Sequence, residues 1–221
     1  MQYLDIMVIS SHALTITYFI AGLLHARNFF SQTPEYRWLA ISLFFSVATE
    51  VAGDILLYFD VIPNYASIPY HLFCVVTFSG FFYHAINWAP LKKPIIIVNV
   101  VYILFTSVNY LFIQKIQSAS YPQTIRSLVI IVFSITFFYK MLKELPTHQL
   151  QRDALFWIVS GVFFSYSGKL AIYSVTNYLI TVQGDNMIII WTFHHLLTII
   201  GNTFIIYGGF LRLRKSNSYS S

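Results

Sequence analysis

The segment WLAISLFFSVATEVAGDILLYF, residues 38–59, is almost wholly apolar apart from two acids, Glu50 and Asp54. A bilayer-spanning helix needs roughly 20 mostly apolar residues, and this segment has that length. Its apolar residues do not alternate with polar ones, so it does not read as a barrel strand. Backbone groups find no water in hydrocarbon, and a helix satisfies them internally. The two acids are then the informative residues. A charge at mid-span costs about 2.5–3.5 kcal/mol on the insertion scale. Such residues are expected to face the bundle interior, and a spacing of four puts both on one helix face. Gly53 beside them predicts close approach of a neighbouring helix.

Six further segments repeat the pattern. Together the spans cover about 4–25, 37–59, 69–88, 94–114, 122–143, 153–180 and 187–211. Their breaks are APLKKP (89–94), QSASYP (117–122), ELPTHQLQR (144–152), QGDN (183–186), the stretch around Pro34 and Glu35, and DVIPNYASIP (60–69), whose Pro69 suits a first helical turn. Over the 221 residues, 57% are hydrophobic and 10% charged. A soluble domain carries about 25% charged residues, so this is the balance of an integral membrane protein. The expected fold is all-α: one seven-helix bundle over 1–211, followed by a short polar tail, 212–221. The single Cys74 excludes an intramolecular disulfide and a Cys-based metal cluster. MQYLDIMVISSHAL lacks the basic start of a cleavable signal peptide, so it reads as a retained first span.

Positive charge sorts by side. Arg27 and Arg37, Lys92 and Lys93, Lys140, Lys143 and Arg152, and Arg212, Arg214 and Lys215 flank one set of loops; Lys115 and Arg126 lie on the other side. The positive-inside rule places the N-terminus outside and the C-terminus in the cytoplasm, as for a multi-pass protein of the cytoplasmic (inner) membrane. The net charge of +5 is therefore mainly a topology signal, and it calls for no nucleic-acid partner.

In that orientation the polar residues fall at similar depths. Glu50 and Asp54 on span two, His71 on span three, Asn109 on span four, Lys169 and Tyr173 on span six, and His194, His195 and Asn202 on span seven are expected to line a polar cavity in the outer half. Lys169 could pair with Glu50 or Asp54, since charges inside spans often pair. Asp54, His71, His194 and His195 form a candidate zinc set, because zinc takes histidine and carboxylate ligands. Adjacent histidines point ~100° apart on a helix, which works against a shared metal, and no cofactor is required. Gly161, Ser165 and Gly168 read as a packing seam of small residues.

YHLFCVVTFSGFFYHA (70–85), FWIVSGVFFSYSGKLAIY (156–173) and IIWTFHHLLTIIGNTFIIYGG (189–209) resemble a family of uncharacterised seven-transmembrane proteins of Bacteroidetes-type bacteria. In some members of such a family the last helix is expected to feed an output domain; this chain stops ten residues after Leu211, so a separate cytoplasmic signalling protein is the implied partner. GDILL (53–57) with His71 is similar, more weakly, to the Gly-Asp motif and following histidine of the lysoplasmalogenase family of membrane hydrolases. That family carries Ser-Asp where this chain has Ser167-Gly168. Two functions are thus expected in order: a sensor or receptor-like module for a small molecule or ion, or an intramembrane lipid hydrolase using Asp54, His71 and His195.

Overall fold

The computed structural model describes residues 2–59, 64–113, 120–144, 150–183 and 187–217, with side chains from residue 5 and not those of 57, 64–68, 175–183, 187 and 215–217. Lys115 and the side chain of Lys215, used in the charge pattern, lie outside the described residues. Seven α-helices follow the seven apolar segments: α1 (Gln2–Ala26), α2 (Pro34–Tyr58), α3 (Asn64–Ile86), α4 (Ala89–Val108), α5 (Ser120–Glu144), α6 (Ala154–Gln183) and α7 (Met187–Asn217). Six of them are long and apolar enough to cross a membrane, and the chain is a polytopic helical membrane protein. Among the described residues the exception is α3, which carries Pro69, His71, Thr77, Ser79 and His84. It is packed by α2, α4 and α5, so less of its surface must be lipid-compatible.

Local chemistry sets the helix ends. Asp153 caps α6, its Oδ1 accepting the backbone N–H of Leu155 at 2.7 Å and of Phe156 at 3.2 Å. Asn28 and Asn87 follow α1 and α3 in the left-handed region, with φ of 61° and 42°, a conformation that asparagine tolerates at helix C-termini. Two expected prolines do not sit where the sequence put them. Both α3 and α4 start five residues before Pro69 and Pro94, so each proline lies inside a helix. Pro90 takes the early-turn position in α4, where a missing N–H costs nothing. Beyond Val108, α4 loosens into a π-helical turn, Asn109–Ile113.

The helices pack as a ring in the order α1, α2, α3, α5, α6, α7 and back to α1, with α4 outside it against α3 and α5. On α4, Ile96, Ile97, Val100, Val101 and Leu104 are all exposed and lie on one face at helical spacing. A face of that kind suits lipid. Inside the ring, Leu14, Leu39, Phe78, Phe82, Ile130, Ile158 and Val162 form part of a continuous buried core. Lipid tails are as apolar as leucine, so close backbone approach drives helix association. The α6–α7 pair shows it: a Cβ built on Gly161 or Gly201 would meet the other's carbonyl oxygen, and one on Gly208 would lie 2.8 Å from the Ala154 carbonyl oxygen. The expected seam is present, with Gly201 and Gly208 as its partners on α7. Gly53 is different. Among the described residues nothing lies within 4 Å of a Cβ there, unlike at the seam glycines.

Candidate functional site

Two connected layers of polar side chains fill the ring. The first is near the end where α2 finishes and α3 begins. Arg126, one and a half turns into α5, is 1% exposed. Its Nη1 donates to Nδ1 of His71 at 2.5 Å, and its guanidinium lies 5.0 Å from the Tyr70 ring centroid. Because Nδ1 accepts, the ring proton of His71 sits on Nε2. The Gln123 amide, 3.1 Å from Nε2, then receives it through its oxygen, the two amide atoms being exchangeable by a flip. Tyr110 stacks on His71 with centroids 6.4 Å apart, and the Tyr173 hydroxyl is within hydrogen-bonding reach of Arg126.

The second layer is at mid-depth. Ser46, Lys169 and Asn202 stand at the middle of α2, α6 and α7. Lys169 is 4% exposed; its Nζ donates to the Tyr18 hydroxyl at 3.4 Å and lies 4.8 Å from the Tyr166 ring centroid. Tyr166 joins the layers through a 3.0 Å contact between its hydroxyl and Cys74 Sγ. A cavity of about 20 Å³ opens beside Lys169, lined among others by Tyr18, Ser46, Ser165, Thr198 and Asn202.

The expected site residues divide. Lys169, Asn202, His71 and Tyr173 are buried in these layers. His194 is buried beside Tyr173 and Trp191, each with ring centroids 5.6 Å away, and its Nδ1 has no partner. His195 turns toward α1, with Nδ1 2.8 Å from Ser10 Oγ. Asn109 is fully buried with neither amide atom hydrogen-bonded, on the π-helical turn. Glu50 is half-buried and acts electrostatically on Lys169, yet the expected direct ion pair is not formed; among the described residues the pair within 4.0 Å is Lys140–Glu144. Asp54 is exposed, two turns beyond Ser46, so the two acids do not share an interior position. Asp54 lies in the last turn and a half of α2, beyond the mid-helix level of Ser46.

The candidate zinc set does not converge. No three His, Cys, Asp or Glu side chains form a metal-holding group among the described residues. His71 gives one nitrogen to a guanidinium, which repels a cation, and Asp54 is elsewhere. The lipid-hydrolase trio of Asp54, His71 and His195 is likewise spread over an exposed helix end, the Arg126 cluster and the α1–α7 interface.

Sequence reasoning puts Arg126 near the outer end of span five but leaves it out of the candidate site. Its position, six residues into α5, was signal enough: an arginine inside a span carries the same penalty as a lysine. Tyr18, Tyr70 and Tyr166 fall on polar helix stripes in the sequence, and Ser165 on the small-residue seam, but tyrosine and serine are common in spans and nothing ranks them as site residues; Cys74 carries no signal of its own. No protein-family model, curated protein or solved structure matches the chain.

Proposed function

We propose that this multi-pass membrane protein is a receptor-like module that binds a small anionic solute among Arg126, Lys169 and the tyrosines around them. One observation carries the reading. Two cations are buried to 1% and 4% exposure with no carboxylate within 4.0 Å among the described residues. Charges held inside a membrane protein are normally paired, and they mark functional sites by default. Hydrogen bonds to His71 and Tyr18 and the faces of Tyr70 and Tyr166 orient the two cations without neutralising them. An anion would. The hydrolase alternative has no comparable support, because Asp54 is exposed and apart from the histidines.

The sidedness of the positive charges supports an outside N-terminus in a bacterial inner membrane, as does the resemblance to the Bacteroidetes-type family. The output would be a shift of α6 and α7 read by a separate cytoplasmic protein.

Thermal unfolding of the purified protein tests this, with a panel of halides, small carboxylates and phosphate. A ligand that binds only the folded state stabilises it by about 2.7 kcal/mol at a hundredfold excess over Kd. Saturable stabilisation by at least one anion, lost in Arg126→Gln or Lys169→Met, is expected. A wild-type protein indifferent to every anion refutes the reading.

A further inference from the structure

We infer that the cavity beside Lys169 is a seat for one monovalent anion of halide size, chloride being the available example. The inference rests on the anion-receptor reading and gives that ligand a size, a charge and a position.

Size comes first. The space is about 20 Å³. About 10–15 Å³ holds a single water, so there is room for one atom-like occupant and not for a carboxylate or phosphate.

The donors come second. The Lys169 ammonium has three N–H groups and spends one on Tyr18 at 3.4 Å. Tyr18 accepts there, which leaves its own O–H free to donate. Ser165, buried to 4% exposure, lines the cavity with Oγ unpartnered. Of the other polar lining groups, Ser46 donates to the Ser42 carbonyl, Thr198 donates to the His194 carbonyl, the Tyr166 hydroxyl contacts Cys74 Sγ, and Asn202 Nδ2 spends one of its two N–H groups on Thr17 Oγ1. Two N–H groups of Lys169 on α6, the hydroxyls of Tyr18 on α1 and Ser165 on α6, and the second N–H of Asn202 on α7 therefore remain for one occupant.

Charge comes third. The ionisable groups that act on Lys169 are Arg126 on α5, Cys74 on α3 and Glu50 on α2. His194 and His195 on α7 are also within its electrostatic reach. Among these groups two basic side chains, Arg126 and Lys169, face one acidic side chain, Glu50, an excess of one basic group. Asp54 lies about 12 Å further along α2 from Ser46, at 1.5 Å rise per residue, and is exposed. One monovalent anion completes the balance; a water molecule fills the space without doing so.

The experiment is thermal unfolding of the full chain in detergent at constant ionic strength, with gluconate replaced stepwise by chloride or bromide. The melting temperature is expected to rise saturably with either halide. Ser165→Ala should raise the half-saturating halide concentration about tenfold, the loss of one hydrogen bond to a charged group. Lys169→Met should abolish the response. Identical melting in halide and gluconate, or an undiminished response in Lys169→Met, overturns the halide seat. If Lys169→Met does not fold, bromide-soaked wild-type crystals decide: an anomalous peak beside Nζ supports the seat, and no peak there overturns it. Stabilisation by acetate or phosphate without any halide effect removes the halide seat but leaves the receptor reading standing. No effect of any anion removes both.

Discussion

A glycine of the α6–α7 seam, Gly201, and a glycine outside it, Gly53 on α2, should answer the same substitution with opposite results. Alanine at Gly201 would put a methyl group inside contact distance of Ser165 Oγ and of the Gly161 carbonyl oxygen. A serine hydroxyl can rotate away. A backbone carbonyl cannot move without bending α6, so the helices must part. Overpacking of this kind costs about 1–3 kcal/mol. Alanine also gains helix propensity over glycine, about 0.8–1.0 kcal/mol in peptide hosts. At Gly53 nothing among the described residues lies within 4 Å of the new methyl. Gly53→Ala therefore collects the propensity gain alone and should stabilise by about 0.4–1 kcal/mol. Subtracting the two variants cancels the shared propensity and leaves the clash. Gly201→Ala should be the less stable by about 1–3 kcal/mol. Unfolding in an SDS titration reads this through tryptophan fluorescence. Trp157 reports the interface directly, with ring centroids 5.8 Å from Phe204 and 4.9 Å from Tyr207. Equal stability of the two variants would refute close α6–α7 packing. Parting α7 from α6 also carries Thr198 and Asn202 away from Ser165 and Lys169, so Gly201→Ala should blunt the halide response as well.

Lys169→Met, measured in halide-free buffer, should be neutral or more stable than wild type by about 1–4 kcal/mol, because a buried charge without a partner is replaced by an apolar side chain of similar length. A variant markedly less stable in that buffer would show Lys169 to be a structural tie instead. Asp54→Asn should change stability by no more than about 0.5 kcal/mol and leave any anion response intact, as expected for an exposed residue; a lost response in the melting assay would return Asp54 to the site. Arg212→Met removes the guanidinium bonds to the Leu24 carbonyl at 3.0 Å and the Gln32 side chain at 2.5 Å. Bonds to a charged group are worth about 1.5–3 kcal/mol, and thermal unfolding should show a loss on that scale.

The number of helices was legible because bilayer thickness imposes a length on apolar runs; of the seven, six are long and apolar enough to cross a membrane among the described residues. Span ends were less legible. Pro69 and Pro94 read as boundaries, yet each lies inside a helix that its neighbours hold. The depth of the polar stripes was read from residue counting and came out too uniform. Lys169 and Asn202 sit at the middle of their helices, whereas His71 and Arg126 sit toward one end. Facing was the least legible property. Glu50 and Asp54 are four residues apart, yet Glu50 is half-buried and Asp54, nearer the end of α2, is exposed. Arg126 had the opposite fate: a residue near a helix terminus became the most enclosed charge. Neither result follows from the chemistry of the residue alone.

The enclosure of α3 has a consequence for how the chain is made. Helices enter the membrane as they emerge from synthesis, and each is tested for partition into lipid largely on its own composition. By that test α3 is the weak member of the set. Two of its polar groups meet helices on either side in the chain: Tyr70 stacks on Phe45 of α2, and His71 accepts from Arg126 of α5. A nascent chain released after Ile86 would hold α1 and α2 firmly and α3 poorly. Integration of the third segment is therefore expected to be more complete in chains that extend through α5 than in chains that end at Ile86.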